Sequence, residues 1–236
     1  VMLTSLMEAA DRVDSTTGLQ MAYLKAWAPR ASRPLELRVP DVLPRAGAGK
    51  GAAVMMEAVD AAASLDADVA YVDPPYNQHS YLGNYHIWET LVRWDRPEVY
   101  GIACKRVDCM ERRSAFNSRR TCFDALSSVI RALRAPTVIV SFSDEGYVGR
   151  ESLEALLREV GGADAELRVL ATDYPRYVGA RIGIYNPKGV KVGAVGRLRN
   201  TEYLYILRRA GVQRSRSSSE ETPSLAQRPC AATTES

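Results

Sequence analysis

Val69-Ala70-Tyr71-Val72 is an uninterrupted apolar run that stops at Asp73, and two prolines follow at once. Such a run reads as a strand of a parallel sheet, buried on both faces. Pro74 and Pro75 cannot extend it, because each fixes its φ and lacks an N–H. Thr137-Val138-Ile139-Val140-Ser141-Phe142 is a second run of this kind, and residues 166–171 form a third strand. Helical patterns lie between them: residues 52–65, residues 118–134 up to Pro136, and Glu151 to Val160 before Gly161-Gly162. Strands alternating with helices predict an α/β sheet. Residues 177–207 read as a β-hairpin whose closing arm is Glu202-Tyr203-Leu204-Tyr205-Ile206-Leu207, with a Gly- and Lys-rich loop from Asn186 to Gly196. The hairpin predicts an antiparallel addition to the sheet.

The flanks differ in character. Residues 2–11 and 19–27 carry apolar residues at helical spacing, with Asp14 to Gly18 as cap and turn between them. Pro29 and Pro34 end the second segment, and Leu35 to Val39 alternates like a short strand. After Gly211 the chain is polar and poor in apolar residues, the composition of a disordered tail. The expected organisation is a helical region over 1–40, a catalytic body over 41–210 and a tail over 211–236.

Composition excludes several classes. Four cysteines in 236 residues are too few for a disulfide scaffold, so a reducing, cytoplasmic setting is expected. No apolar run approaches the roughly 18 residues of a membrane span. Net charge is +3, but its distribution is uneven. Asp41 to Glu89 holds two basic and seven acidic residues, Arg93 to Arg120 eight and four, and Arg176 to Arg209 eight and one. An acidic middle between basic stretches suits a protein that holds a polyanion beside a chemically different pocket.

That pocket is read from Asp73-Pro74-Pro75-Tyr76. Parallel sheets bind ligands at the carboxyl ends of their strands. The tetrapeptide offers one carboxylate, rigid carbonyls and an aromatic ring, with no cation among them. Such a set accepts hydrogen bonds from an amino group and stacks on the ring that bears it. Hydrogen bonds to Asp73 and to the Pro74 carbonyl favour a pyramidal nitrogen with a localised lone pair, ready to attack an electrophilic methyl group. Tyr76 then stacks on a base swung out of its helix.

Asp73-Pro74-Pro75-Tyr76-Asn77, followed by His79-Ser80-Tyr81 and Asn84-Tyr85-His86, resembles the Dam-like class of DNA N6-adenine methyltransferases. Val138 to Gly146 is similar to that family's next strand and turn, and Glu202 to Ile206 to its closing hairpin strand. The resemblance covers about residues 55–208. It implies a Rossmann-like sheet, S-adenosylmethionine as methyl donor, duplex DNA with a flipped adenine as acceptor, and a restriction endonuclease as companion. It also implies that Asp60 and Asp73 touch the cofactor, with Asp73, Pro74, Pro75 and Tyr76 as the catalytic segment. The family's F-x-G-x-G turn is not found, since Gly47 to Gly51 follows no buried strand and carries Lys50. The expectation is therefore an N-terminally truncated methyltransferase. RNA adenine methylation and an inactive nucleic-acid-binding remnant stand as alternatives. Cytosine-amine methylation ranks lower, because the family's cytosine branch usually has Ser at the position of Asp73.

Asn77, Lys105, Arg106, Arg112 and Arg113, with Arg181, Lys188 and Lys191 of the hairpin, are the expected nucleic-acid contacts. His79 and His86 are the only histidines and have no partners at metal-ligand spacing, so no metal site is expected. Trp88 and Trp94 are expected in the core.

Overall fold

In the run 137–143 every second side chain is buried: Val138, Val140 and Phe142 turn to one face of a sheet. Helices cover that face because their apolar residues recur at helical spacing. The computed structural model describes residues 1–22, 24, 26–44, 47, 49–175, 184–185, 191–193 and 198–210. In chain order the elements are α1 (Met2–Val13), α2 (Ala58–Ser64), β1 (Val69–Val72), α3 (Tyr81–Asn84), α4 (His86–Arg93), β2 (Val99–Tyr100), β3 (Lys105–Arg106) and α5 (Asp108–Glu111). Then come α6 (Cys122–Ala132), β4 (Thr137–Ser143), α7 (Arg150–Gly161), β5 (Glu166–Pro175), β6 (Ile184–Tyr185), β7 (Lys191–Gly193) and β8 (Arg199–Arg208).

The main sheet has the order β1-β4-β8-β5. β1 runs parallel to β4, with Val69 opposite Thr137 and Val72 opposite Val140. β8 is inserted antiparallel between β4 and β5. The expected α/β class with an antiparallel hairpin is what forms. Cys122, Leu126, Val129 and Ile130 of α6, and Leu153, Leu156 and Leu157 of α7, are buried. Most of them join one core with Val138, Val140, Phe142, Tyr205 and Leu207. Fully burying a side chain of this size contributes about 1.5–3 kcal/mol. α7 stops at Gly162, whose φ of 82° is left-handed and suits glycine.

Several expectations are corrected. β1 was expected to be buried, yet Val69 is 52% and Tyr71 60% exposed. Among the described residues it lies at the end of the strand order and pairs with β4 alone. The antiparallel partner of the closing arm is the third strand itself, extended to Pro175, with ten register pairs to β8. The arm expected from 177 falls mostly outside the described residues, as does the tail. The helix expected over 52–65 is only α2. Residues 19–22 form turns instead of a helix, because their polar groups bond locally and across the chain: Ala22 N–H donates to Leu19 O, and Gln20 N–H to Asn84 O. Leu35 to Val39 forms no strand and its apolar side chains are exposed. Trp88 is half-buried, and Trp94 is 79% exposed at the left-handed cap of α4. Among the described residues, no helix is long and apolar enough to cross a membrane.

One turn positions the site. A Cβ at Gly146 would lie 2.2 Å from Cε1 of Phe142. Gly146→Ala is therefore expected to displace the Phe142 ring and cost about 1–3 kcal/mol by overpacking. Urea unfolding measures this; an unchanged midpoint would show that the ring swings aside freely.

Candidate active site

The parallel pairing of β1 with β4 carries Asp73 out of the sheet one residue beyond the Val72–Val140 pair. Asp73 is exposed, Pro74 is buried, and Pro75 and Tyr76 are half-buried. The Tyr76 and Phe142 rings meet edge to face, with centroids 6.0 Å apart and planes at 63°. The Tyr147 N–H donates to the Tyr76 carbonyl at 2.8 Å. The tetrapeptide is thus fixed at its ring and at its backbone, with the carboxylate left outward.

The loop behind it is clamped from another element. Asn117 Nδ2 donates to the carbonyls of Asn77 at 2.7 Å and His79 at 3.1 Å. Asn77 Oδ1 accepts from the His79 N–H, and the Tyr147 hydroxyl lies 3.0 Å from Gln78 Oε1. Ser80 then caps α3 by accepting from the Gly83 N–H. Nothing in the sequence marks Asn117 and Tyr147 as site residues, since they lie 40 and 71 residues from what they hold. No local pattern signals such a contact.

Cavities open around the tetrapeptide. One, of about 570 Å³, lies between α2, β1 and α6 and reaches Asp73, Pro74 and Pro75. Its lining is apolar apart from Glu57, Asp73 and Ser114, and it includes no cation. Glu57, Ala58, Ala61, Ala62 and Leu65 present the α2 side to it. Asp60 is exposed and does not line it, whereas Glu57, three residues before it, does. The helical turn carries Asp60 to another face. A second cavity, of about 370 Å³, is lined by Tyr76, Asn77, His79, Glu145, Tyr174, Asn200 and Glu202, among others. A third adjoins the first at Glu57, Ala58 and Pro75 and has Tyr81, Arg112 and Arg113 on its wall.

Carboxylates crowd this region. Burial raises the Tyr76 phenol above its ordinary pKa, and Glu202 and Glu145 raise it further, so the ring stays neutral. Tyr81 is raised by burial and by Asp73. Glu202 is raised by burial, against a hydrogen bond from Ser143, and further by Asp144, Asp73 and Glu145.

The expected phosphate contacts divide. Arg112 and Arg113 reach the third cavity; Arg112 also pairs with Glu89 at 2.9 Å. Lys105 is half-buried, and its ammonium lies near Gly83 of α3. Arg106 is a correction. It is 3% exposed, and its guanidinium is held by Asp95 at 2.6 Å and Asp108 at 3.1 Å. These bonds depress both carboxyls below their ordinary range. With its donors committed and its surface covered, Arg106 ties β3 to the end of α4 and has no face for a phosphate. Arg181 and Lys188 lie outside the described residues, as does the side chain of Lys191 on β7. Among the described residues, no three His, Cys, Asp or Glu converge in a metal-binding arrangement.

Comparison with known proteins identifies the family. Residues 1–129, more than half of the chain, match the profile of the D12 class N6 adenine-specific DNA methyltransferases, and the chain belongs to that family. It is 31% identical over 176 residues to the Type II methyltransferase M.FokI of Planomicrobium okeanokoites, covering 75% of this chain and 27% of the relative. The modification methylase StsI of Streptococcus sanguinis is 29% identical, with 75% and 26% covered. The Type II methyltransferase M.NlaIII of Neisseria lactamica is 25% identical over 206 residues, with 87% and 57% covered. The chain thus spans about a quarter of the length of the first two. No solved structure matches it significantly.

Arg106 and Arg113 separate structural from exposed cations. Because Asp95 and Asp108 titrate below their ordinary range, their pairing stabilises the fold at neutral pH and is lost as pH falls through the depressed values. Arg106→Gln is expected to lower the urea midpoint at pH 7 by an amount that shrinks toward pH 2, with the salt dependence of DNA binding unchanged. Arg113→Ala is expected to leave the midpoint alone and reduce the log–log salt slope by about one. The reverse pattern would return Arg106 to the DNA-facing set.

Proposed function

We propose that the chain carries the acceptor side of a methyl transfer from S-adenosylmethionine to the N6 amine of adenine in duplex DNA. The observation that supports this most is the single outward carboxylate, Asp73, set beside a rigid prolyl carbonyl and a ring braced edge-on by Phe142. The cation-free, largely apolar cleft that ends at Asp73 and Glu57 suits a ligand with a flat ring and positive charge. Glu57, Ala61 and Ala62 on the α2 side and Asp73 and Pro74 at the rim would hold it. When bound, S-adenosylmethionine supplies a methyl group on a cationic sulfur.

The chain's own residues prepare the amine. Asp73 and the Pro74 carbonyl accept its two protons, which draws the nitrogen out of conjugation and frees its lone pair. Tyr76, neutral and fixed, holds the base plane by stacking. The carboxylate surroundings repel phosphate, so the backbone of a flipped nucleotide is directed toward Arg112 and Arg113. The relatives' names as modification methylases support a companion restriction endonuclease.

Asp73→Ala is expected to lower single-turnover methylation of unmethylated duplex DNA by about 100-fold or more, the usual loss when a preorganised partner of developing charge is removed. Its fold should persist, since Asp73 lies outside the core. Tyr76→Phe should keep most activity and Tyr76→Ala should not, because stacking contributes roughly 1–3 kcal/mol per base. Near-normal turnover by Asp73→Ala, or equal damage from both Tyr76 variants, would contradict these roles.

A further inference from the structure

The reaction leaves a proton to dispose of, and while Asp73 lines the apolar cleft, the cavity on the Tyr76 side has carboxylates of its own, Glu145 and Glu202. Glu202 lies on β8 directly opposite Ser143 of β4 and Thr172 of β5, at the same end of the sheet from which Asp73 emerges. It shares the cavity of about 370 Å³ with Tyr76. Ser143, itself buried, stands opposite it and favours its ionised form. Asn200, two residues before it, donates to Glu145 at 2.6 Å, which fixes the neighbouring wall. Glu202 thus sits on a strand that is hydrogen-bonded on both sides, while the loop carboxylates around it hang from turns.

We infer that Glu202 is the proton acceptor of the methyl transfer, a catalytic residue distinct from the amine-binding Asp73. The inference rests on the function proposed above. The N6 lone pair forms a bond to the methyl carbon as the carbon–sulfur bond breaks. The electron pair of that bond stays on sulfur, which passes from sulfonium to neutral thioether. The nitrogen, now bearing an extra substituent and a positive charge, gives one proton to a Glu202 carboxylate oxygen. Methylated amine, thioether and carboxylic acid are left, with charge and atoms balanced, and the acid returns its proton to water through the open cavity.

The setting suits this task. The groups facing Glu202 are Asp73 beyond β1, Asp144 and Glu145 beyond β4, Tyr174 on β5 and Tyr76 and His79 of the catalytic loop. Burial and the neighbouring carboxylates raise its proton affinity above that of an ordinary glutamate, which makes it a better base while the Ser143 bond keeps the ionised form accessible. Arg199, the nearest cation in sequence on β8, is turned to the Asp173 carbonyl.

The test compares the parent chain, Glu202→Gln and Asp73→Ala in single-turnover methylation of long unmethylated duplex DNA across pH, with DNA affinity and thermal stability measured in parallel. Glu202→Gln is expected to slow transfer by about 100-fold. It should also abolish an acid limb that, in the parent, lies above the ordinary glutamate range. DNA affinity should stay within about twofold, and thermal stability should rise or hold, because one charge leaves a crowd of like charges. Glu202→Asp, which keeps the carboxylate on a shorter arm, should recover part of the rate and the acid limb. If Glu202→Gln keeps the parent rate and profile while Asp73→Ala is dead, the proton acceptor is overturned and the proposed function stands. A parent that transfers no methyl group to DNA overturns both.

Discussion

Four register pairs between β1 and β4 hold the whole site together. Among the described residues they are the only parallel pairs in the main sheet, and they send β1 and β4 out at the same end. β8 then enters β4 antiparallel from that end, so its first residues lie level with the last of β4. Asp73, Ser143 and Glu202 are therefore brought together by sheet pairing across 129 residues of chain. The two prolines convert that placement into chemistry, because they stop β1 without donors and leave their carbonyls fixed. Phe142, on β4, supports the Tyr76 ring. A shift of one residue in the β1–β4 register would turn Asp73 to the other face and separate it from Glu202.

Charge is organised in the same way. Glu145 and Glu202 line the cavity beside Tyr76, and the exposed Arg112 and Arg113 line the one that adjoins the apolar cleft. Such a division favours a neutral base over a phosphate within the cavity and a phosphate over a base outside it. Arg106 is set apart by Asp95 and Asp108 and serves the frame that carries Lys105, Arg112 and Arg113. That frame also contains His86, fully buried, which bonds the Ala103 carbonyl at 2.9 Å between β2 and β3.

What could be read from the sequence was local. Val69 to Tyr76 announces a strand end and its chemistry within eight residues, and the alternation of β4 and the apolar spacing of α6 and α7 are equally contained. What could not be read depends on partners far along the chain. Arg106 and Arg113 look alike as basic residues, and only packing buries one and exposes the other. Asn117 and Tyr147 carry no sign that they clamp the loop after Asp73. Glu202 was legible as part of a closing strand but not as a cavity group, because that depends on which strand receives β8. The exposed face of β1 is not legible, because an apolar run reports what a strand is made of, not how many neighbours it has.

The central claim is that the segment from Asp73 to Tyr76 presents the N6 amine of adenine for methylation. The most direct measurement is to incubate the chain with isotopically labelled S-adenosylmethionine and unmethylated duplex DNA, digest the product to nucleosides and identify the labelled one by mass spectrometry. The account predicts label in N6-methyladenine, and none in that nucleoside when Asp73→Ala replaces the parent. Label in N4-methylcytosine, no label in DNA, or label that survives the loss of Asp73 would contradict it.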